Sequence, residues 1–430
     1  MGIAFIEVVA ISTSINRDTS RDLWRYIIAV IAVLIPASEI IISILNWGIN
    51  SLTRPSFVPK MALEDGIPEE SATVVVIPTL INSEKRAVEL LEDLEIYYLS
   101  NAEDNLYFAI LGDFCDSDKE QEAKDADIIN AALKKVKELN EKYGKKGEDK
   151  FYFLCRRRLY NEKQGCWMGW ERKRGKLMEF NALLRGNKNT TYNVISGDIS
   201  KLQRVKYVIT LDSDTVLPRD AAKRMIGAMS HILNRAKLDK ENKKVTRGYG
   251  IMQPRVSVGN VNANKTPFSR IFSGETGIDI YTTAVSDVYQ DLFKEGIFTG
   301  KGIYDIDVFE TVLKDEIPEN AVLSHDLLEG SYARTALVTD IELVDGYPAY
   351  YNASCKRLHR WVRGDWQLIP WITKKSPLNK LSIWKIFDNL RRSLLSPSII
   401  LLIILAFTIL PNYGPWIIIA FLSILCPVFF

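Results

Sequence analysis

A block of about 310 residues that alternates strand and helix signals is held between two long apolar stretches, and this arrangement limits the possible folds more than any other feature of the chain. The first stretch, Tyr26 to Trp47, is apolar for about twenty residues, enough at about 1.5 Å per residue to cross a bilayer core, and has aromatic residues at both ends. It reads as a transmembrane helix over 26–47, after an N-terminal segment of residues 1–25. Pro36 and Glu39 lie inside it, so a signal peptide or a buried soluble helix is the competing reading; no small-residue cleavage site follows. The second stretch starts near Leu394, turns at Pro411 to Pro415 and runs to Phe430. It predicts a transmembrane hairpin over 394–430, cut short by truncation or followed by further helices.

Lys374, Lys375, Lys380, Lys385, Arg391 and Arg392 precede this second stretch, whereas its turn carries no basic residue. That asymmetry places the central region in the cytosol, on a multi-pass protein of the inner (cytoplasmic) membrane. Leu381, Trp384, Ile386, Phe387 and Leu390 recur at mostly helical spacing among these charges and predict an amphipathic interface helix over 378–393, or an ordinary packed helix.

At 430 residues the chain exceeds what one core supports, so a large α/β domain with membrane additions is expected. Its 55 Lys and Arg balance 53 Asp and Glu, leaving no long-range field that would recruit nucleic acid. Five scattered cysteines without a CxxC pair suggest neither a zinc site nor a disulfide framework, which fits a reducing compartment. Three histidines are too few for a histidine cage, so metal chemistry falls to carboxylates. Strand-like runs at Thr73 to Ile77, Leu106 to Leu111, Phe151 to Cys155, Tyr207 to Leu211 and Gly250 to Gln253, with a helix at Ser83 to Tyr98, predict a doubly wound, mostly parallel sheet. Ligands bind such sheets at the carboxyl ends of the strands. Asp116 to Lys150 reads as largely solvated helix ending at Gly144 and Gly147, and there is no internal repeat.

The strongest chemical signal is the strand Tyr207 to Leu211, which ends in Asp212-Ser213-Asp214. Two hard carboxylates there can hold a divalent ion that bridges a diphosphate, although capping of the next helix uses the same residues. Asp113 and Asp116 follow another strand, where a carboxylate can accept from a base or ribose donor; turn capping is the alternative for Asp116. The run Glu171 to Lys176, followed by Asn181, concentrates cations ahead of a helix and either holds a diphosphate, with Lys176 a donor-site candidate, or forms a basic surface loop. Asp326, in Ser324-His325-Asp326, is an acid in an apolar context, where burial raises its pKa toward that of a general base; a helix cap is the plainer reading. Arg357 to Gln367 alternates cations with Trp361 and Trp366, a combination that stacks on sugar rings and grips phosphate, or that snorkels at a membrane interface.

In this order the motifs resemble the inverting glycosyltransferases of family 2 and its relatives, over about Ser71 to Gln367. Val76-Ile77-Pro78 resembles their first nucleotide-binding strand, Asp113 the uracil-binding acid, and Asp212-Ser213-Asp214 the metal-binding motif. Asp326 matches the general base of the Thr-Glu-Asp motif, and Arg360-Trp361 the end of Gln-x-x-Arg-Trp. His325 in place of Glu and Arg357 in place of Gln depart from the cellulose and chitin synthases. The strings Gly66-Ile67-Pro68-Glu69-Glu70, Phe298 to Asp305 and Leu323 to Gly330 resemble instead the glycosyltransferase module of cyclic β-1,2-glucan synthases, family 84.

The resemblance implies a GT-A type (Rossmann-like) α/β domain over 71–372 with flanking transmembrane helices, UDP-glucose as donor, a growing β-glucan chain as acceptor, and Mg or Mn as cofactor. It also implies roles: Asp212 and Asp214 for the metal, Asp326 as base, Asp113, Lys176, Lys301 and Arg360 for the donor, Trp361 and Trp366 for the acceptor. Nothing in the chain matches the phosphorylase-like region of that family. A lipid glycosyltransferase acting on a polyprenyl phosphate is the rival enzyme, and a non-catalytic pseudo-glycosyltransferase scaffold the rival without chemistry.

Overall fold

The computed structural model describes residues 23–144, 148–239, 241, 243–273, 287–373, 378–410 and 412–429. The chain divides into two units, Ser56–Gln367 and, from its two ends, Met1–Pro55 with Leu368–Phe430.

Ser56–Gln367 is a mixed α/β unit. Its strands are β1 (Thr73–Ile81), β2 (Leu106–Phe114), β3 (Phe151–Arg156), β4 (Leu159–Asn161), β5 (Cys166–Met168), β6 (Tyr192–Ile195), β7 (Tyr207–Thr210), β8 (Thr215–Val216), β9 (Lys237–Asp239), β10 (Lys244–Arg247), β11 (Ile251–Val258), β12 (Gly302–Asp305) and β13 (Thr335–Asp345). Nine of them form one sheet in the order β6-β3-β2-β1-β7-β12-β11-β13-β8, while β4-β5 and β9-β10 are separate hairpins. Every residue of β2 and all but Leu80 of β1 are buried, because both faces of these strands are covered; this gives them unbroken apolar runs instead of alternation. The helix Glu84–Ser100 starts where the Ser83 hydroxyl accepts from the Arg86 N–H, and buries Ala87, Leu90, Leu91, Leu94 and Tyr97 in the core beneath the sheet.

The sheet is mixed where the sequence predicts a mostly parallel one. β3-β2-β1-β7 run parallel and β11 runs parallel to β13, but β12 pairs antiparallel to both β7 and β11, and β6 and β8 are antiparallel at the edges. Gly302 permits the insertion of β12: its φ is 141°, and a Cβ there would lie 2.3 Å from the Met252 carbonyl oxygen. Gly302 pairs with Thr210, so β12 begins where β7 ends, and residues 299–301 are delivered to the carboxyl edge of the parallel strands. A second correction concerns Asp116 to Lys150. The helix there is Asp125–Tyr143, and it is amphipathic, burying Ile128, Ala132, Val136 and Leu139. It stops at Gly144; Gly147 lies outside the described residues.

In the second unit, the helix Leu23–Leu52 contains a 26-residue apolar segment, Ile27–Leu52, long and apolar enough to cross a membrane. Lys380–Ser393 and Leu395–Thr408 meet the same test only as a pair bent by 47°, and Tyr413–Phe429 is a shorter apolar helix. Ala29, Ala32 and Val33 pack against Ile399, Leu402, Ala406 and Ala420, and the four alanines among them let the helices approach closely. Glu39, the acid inside the first apolar run, is ion-paired with Arg391, whose Nε also donates to Asp388 at 2.8 Å. Lys385, Asp388 and Arg391 are buried, so this face of Lys380–Ser393 is a packed one. Residues 1–22, Lys374, Lys375, Pro411 and Phe430 lie outside the described residues.

Candidate active site

The carboxyl ends of β7, β11 and β13 and the start of β12 converge on one group of charges. After β7 the Leu211 N–H still donates to the Val76 carbonyl, and the chain then turns, with Thr215 N–H donating to Asp212 O at 3.1 Å. This turn presents Asp212 with its side chain about a third exposed. One Asp212 oxygen lies 2.5 Å from Lys173 Nζ and the other 3.0 Å from Lys301 Nζ. Lys173 Nζ also donates to the Gly300 carbonyl at 2.7 Å. Lys301 is buried and ion-paired as well with Asp345, the last residue of β13, which accepts from the Thr215 hydroxyl. Burial by itself would raise the Asp212 carboxyl, but Lys173 and Lys301 outweigh it and hold the group well below the usual carboxylate range.

Lys173 owes its position to an unusual helix start. Glu171 and Arg172 both take left-handed conformations, φ 48° and 49°, before the helix Arg172–Leu184. The Glu171 carboxylate secures the turn by pairing with Arg174 Nη2 at 2.6 Å and accepting from the Asn320 N–H.

Asp326 is the first residue of the helix Asp326–Ala333, and its carboxylate lies over Gly300. A Cβ at Gly300, where φ is 85°, would fall 2.8 Å from both carboxylate oxygens, so only glycine leaves room. Burial, with Glu329 and Asp212 nearby, raises the Asp326 carboxyl above the ordinary aspartate range against the pull of His325 and Lys173. His325 Nδ1 is 2.8 Å from Glu329 Oε1 and 3.6 Å from Asp326 Oδ1. Burial opposes charge on His325, yet Glu329 raises its pKa above the ordinary histidine value.

The helix Tyr351–Gln367 packs on the segment before Asp326: Gly364 sits against Ser324, and Gln367 Oε1 accepts from the Leu323 N–H at 2.7 Å. Trp361, on that side, is half-buried, with the Arg357 guanidinium 4.7 Å from its ring centroid. Arg360 is exposed, and Trp366 is 42% exposed.

No family model matches the chain. Over 363 residues, 84% of its length, the chain is 47% identical to the cyclic beta-(1,2)-glucan synthase NdvB of Rhizobium meliloti (strain 1021). It belongs to the cyclic glucan synthase family. The chain spans 13% of that relative's length.

The structure brings together Asp212, Lys301 and, through Lys173, Asp326, and sets two other candidates in a second charged cluster two strands away. Asp113 is buried on β2, separated from β7 by β1, and accepts from Arg156 Nε at 2.8 Å and Nη2 at 2.9 Å. Lys176 Nζ lies 3.1 Å from the same carboxylate and donates to the Thr79 carbonyl at 2.8 Å; burial pulls its pKa down. The lysine that reaches Asp212 is therefore Lys173, three residues earlier in the same basic run. Asp116 pairs at the surface with Arg172.

Sequence reasoning gave no role to Asp345 or Glu329, and it took in Lys173 and Arg357 only as members of their basic runs. Asp345 ends an apolar strand just as Asp212 does, and Glu329 stands four residues after His325, so both left a readable signal.

A divalent ion fits Asp214 better than Asp212. Asp214 is exposed, beside Gly346, whose N–H donates to its carbonyl at 3.0 Å. Partial desolvation and the Asp345 and Asp212 carboxylates hold it above the usual range, against Lys301 and Arg357. A carboxylate set among other carboxylates is short of positive charge, which a hard cation would supply.

Proposed function

We propose that this chain is the GT-A type transferase portion of a membrane-bound synthase that moves glucose from UDP-glucose onto a growing β-1,2-glucan with inversion at the anomeric carbon. The observation that carries the reading is the linked group in which Lys173 contacts both Asp212 and the Gly300 carbonyl, while Asp326 lies over Gly300. Cations for a departing diphosphate and a base for an arriving hydroxyl thus meet around one glycine.

In this reading Lys173 and Lys301 face the diphosphate, and their charge offsets the negative charge that grows as the C1–O bond breaks. Asp326 takes the proton of the acceptor hydroxyl as its oxygen bonds to C1; the bonding pair leaves with UDP, and α becomes β. The raised pKa of Asp326 suits a base, since a carboxylate far below neutrality has little pull on a hydroxyl proton. Asp214, with Asp212 beside it, would hold Mg or Mn, which when bound supplies further positive charge to the diphosphate. Trp361, with Trp366 beyond it, offers an indole face to the acceptor glucose, and Arg360 faces outward as a second phosphate contact. The apolar helices hold the unit at the inner membrane, with the catalytic side in the cytosol.

The test supplies labelled UDP-glucose to membranes containing the full-length protein and analyses product linkage. A β-1,2-linked glucan is expected. A single-sugar glycolipid would replace this reading with a lipid glycosyltransferase, and nucleotide binding without product would leave a scaffold.

A further inference from the structure

We propose that His325 and Glu329 act together as a positioning pair for Asp326, an imidazolium anchored by one carboxylate that fixes the orientation and charge of the other. This inference rests on Asp326 being the base.

His325 occupies the N-cap position of the helix Asp326–Ala333, yet its side chain makes no capping hydrogen bond. Its Nδ1 turns instead to Glu329, one helical turn on, at 2.8 Å, and to Asp326 at 3.6 Å. Nδ1 is close to both carboxylates without being aligned to hydrogen-bond either, the geometry of one charge shared between two acceptors. Glu329 is 2% exposed and His325 7%, and a carboxylate that deep requires a cation. His325 is the group at ion-pair distance from Glu329, and in this proposal it is protonated. Glu329 neutralises the imidazolium, so Asp326 keeps its own negative charge and remains available to take a proton.

The pair also restrains Asp326 mechanically. The carboxylate has Gly300 on one side and the imidazole on another, with Lys173 the charged group facing it from the helix Arg172–Leu184. Lys301 and Asp212 stand one contact further out, and Tyr304 on β12 is near enough to feel the Glu329 charge while its hydroxyl donates to Asn181. A base held in this way keeps its orientation when the acceptor arrives, which is where rate is gained.

The proposal is tested with His325→Gln and Glu329→Gln in the full-length synthase, beside Asp326→Asn, measuring UDP-glucose binding, turnover and its pH profile. His325→Gln is expected to lower kcat by about tenfold or more with the UDP-glucose KM within about twofold, and to abolish a basic limb in the kcat profile. That limb arises because the imidazolium is lost as pH rises through the raised His325 pKa. Glu329→Gln is expected to move the limb to lower pH, because Glu329 is what raises that pKa. A merely structural pair would lower the yield of folded protein and leave the pH profile of the remainder unchanged. Wild-type turnover and profile in either folded variant overturn the proposal, and if His325→Gln fails to fold, Glu329→Gln decides alone. Full activity in Asp326→Asn would sink the base itself; an inactive Asp326→Asn beside normal His325 and Glu329 variants sinks only the pair.

Discussion

Two carboxylate clusters at the carboxyl edge of the same sheet, one on each side of β1, have the same constituents and opposite circumstances. Asp113 on β2 faces Arg156 and Lys176; Asp212 after β7 faces Lys173 and Lys301. Each is one aspartate with two cations. In the first, Asp113, Arg156 and Lys176 are all buried, and the two cations also reach the Arg172 and Thr79 carbonyls and Glu179. In the second, the Asp212 and Lys173 side chains are about a third and a quarter exposed. An ion cluster buried and bonded inside the protein holds the protein together. One left partly open to solvent keeps positive charge available for a ligand. The sequence shows both as an acid past a strand, and the difference lies in what closes over them.

The comparison breaks first, and most heavily, at Asp113. Asp113→Ala leaves Arg156 and Lys176 buried without their shared counter-charge and is expected to cost about 3–5 kcal/mol of stability in a denaturant melt. Lost donor affinity with unchanged stability would instead move Asp113 into the donor site and erase the contrast.

In the open cluster, Asp326→Asn is expected to lower turnover by about a hundredfold or more while UDP-glucose affinity barely moves. The acid limb of wild-type kcat/KM sharpens the point. The ionised carboxylate is the active form and its pKa is raised, so activity is lost as pH falls through a value above the ordinary aspartate range. A limb at or below that range would return Asp326 to a helix-start role.

Asp214→Asn is expected to weaken metal-dependent UDP-glucose binding about tenfold, with Asp212→Asn acting in the same direction through its lysines. Titration calorimetry with and without Mg checks this; unchanged affinity in both variants, with metal still required, would remove the metal from these residues. The smallest effect belongs to Trp361→Ala, which removes an indole already covered on one side by Arg357. It should weaken acceptor saturation by a few-fold, about 1 kcal/mol. A loss as large as that of Asp326→Asn would mean that the helix Tyr351–Gln367 positions the base as well as the sugar.

Much of the fold was legible for one physical reason. β1, β2, β3 and β7 are covered on both faces, and that burial writes continuous apolar runs into the sequence. β12 was not legible, since four residues whose partners lie far away leave no local pattern. Within the candidate site, Asp212 stood out at the end of an apolar strand, and Asp326 as an acid in an apolar context that also matched a motif. Lys173 was passed over for Lys176 because the choice depends on the left-handed turn at Glu171 and Arg172, where no glycine announces it. The approach of His325 to Glu329 follows from four-residue helical spacing, but only once the eight-residue helix is known.

The central position of β12 also governs the order in which the site can assemble. β7 emerges about 90 residues before the strand that must lie beside it, and contacts that distant in sequence close late. Until β12 arrives, β7 and β11 present unpaired backbone edges, and Asp212 lacks one of its two lysines. Lys301 immediately precedes that strand, so closing the sheet and completing the cationic side of the candidate site are a single event. A nascent chain stalled before residue 302 therefore exposes sticky edges and has no working site, and substitutions that slow the insertion of β12, above all at Gly302, are expected to appear as aggregation during synthesis rather than as a weaker enzyme.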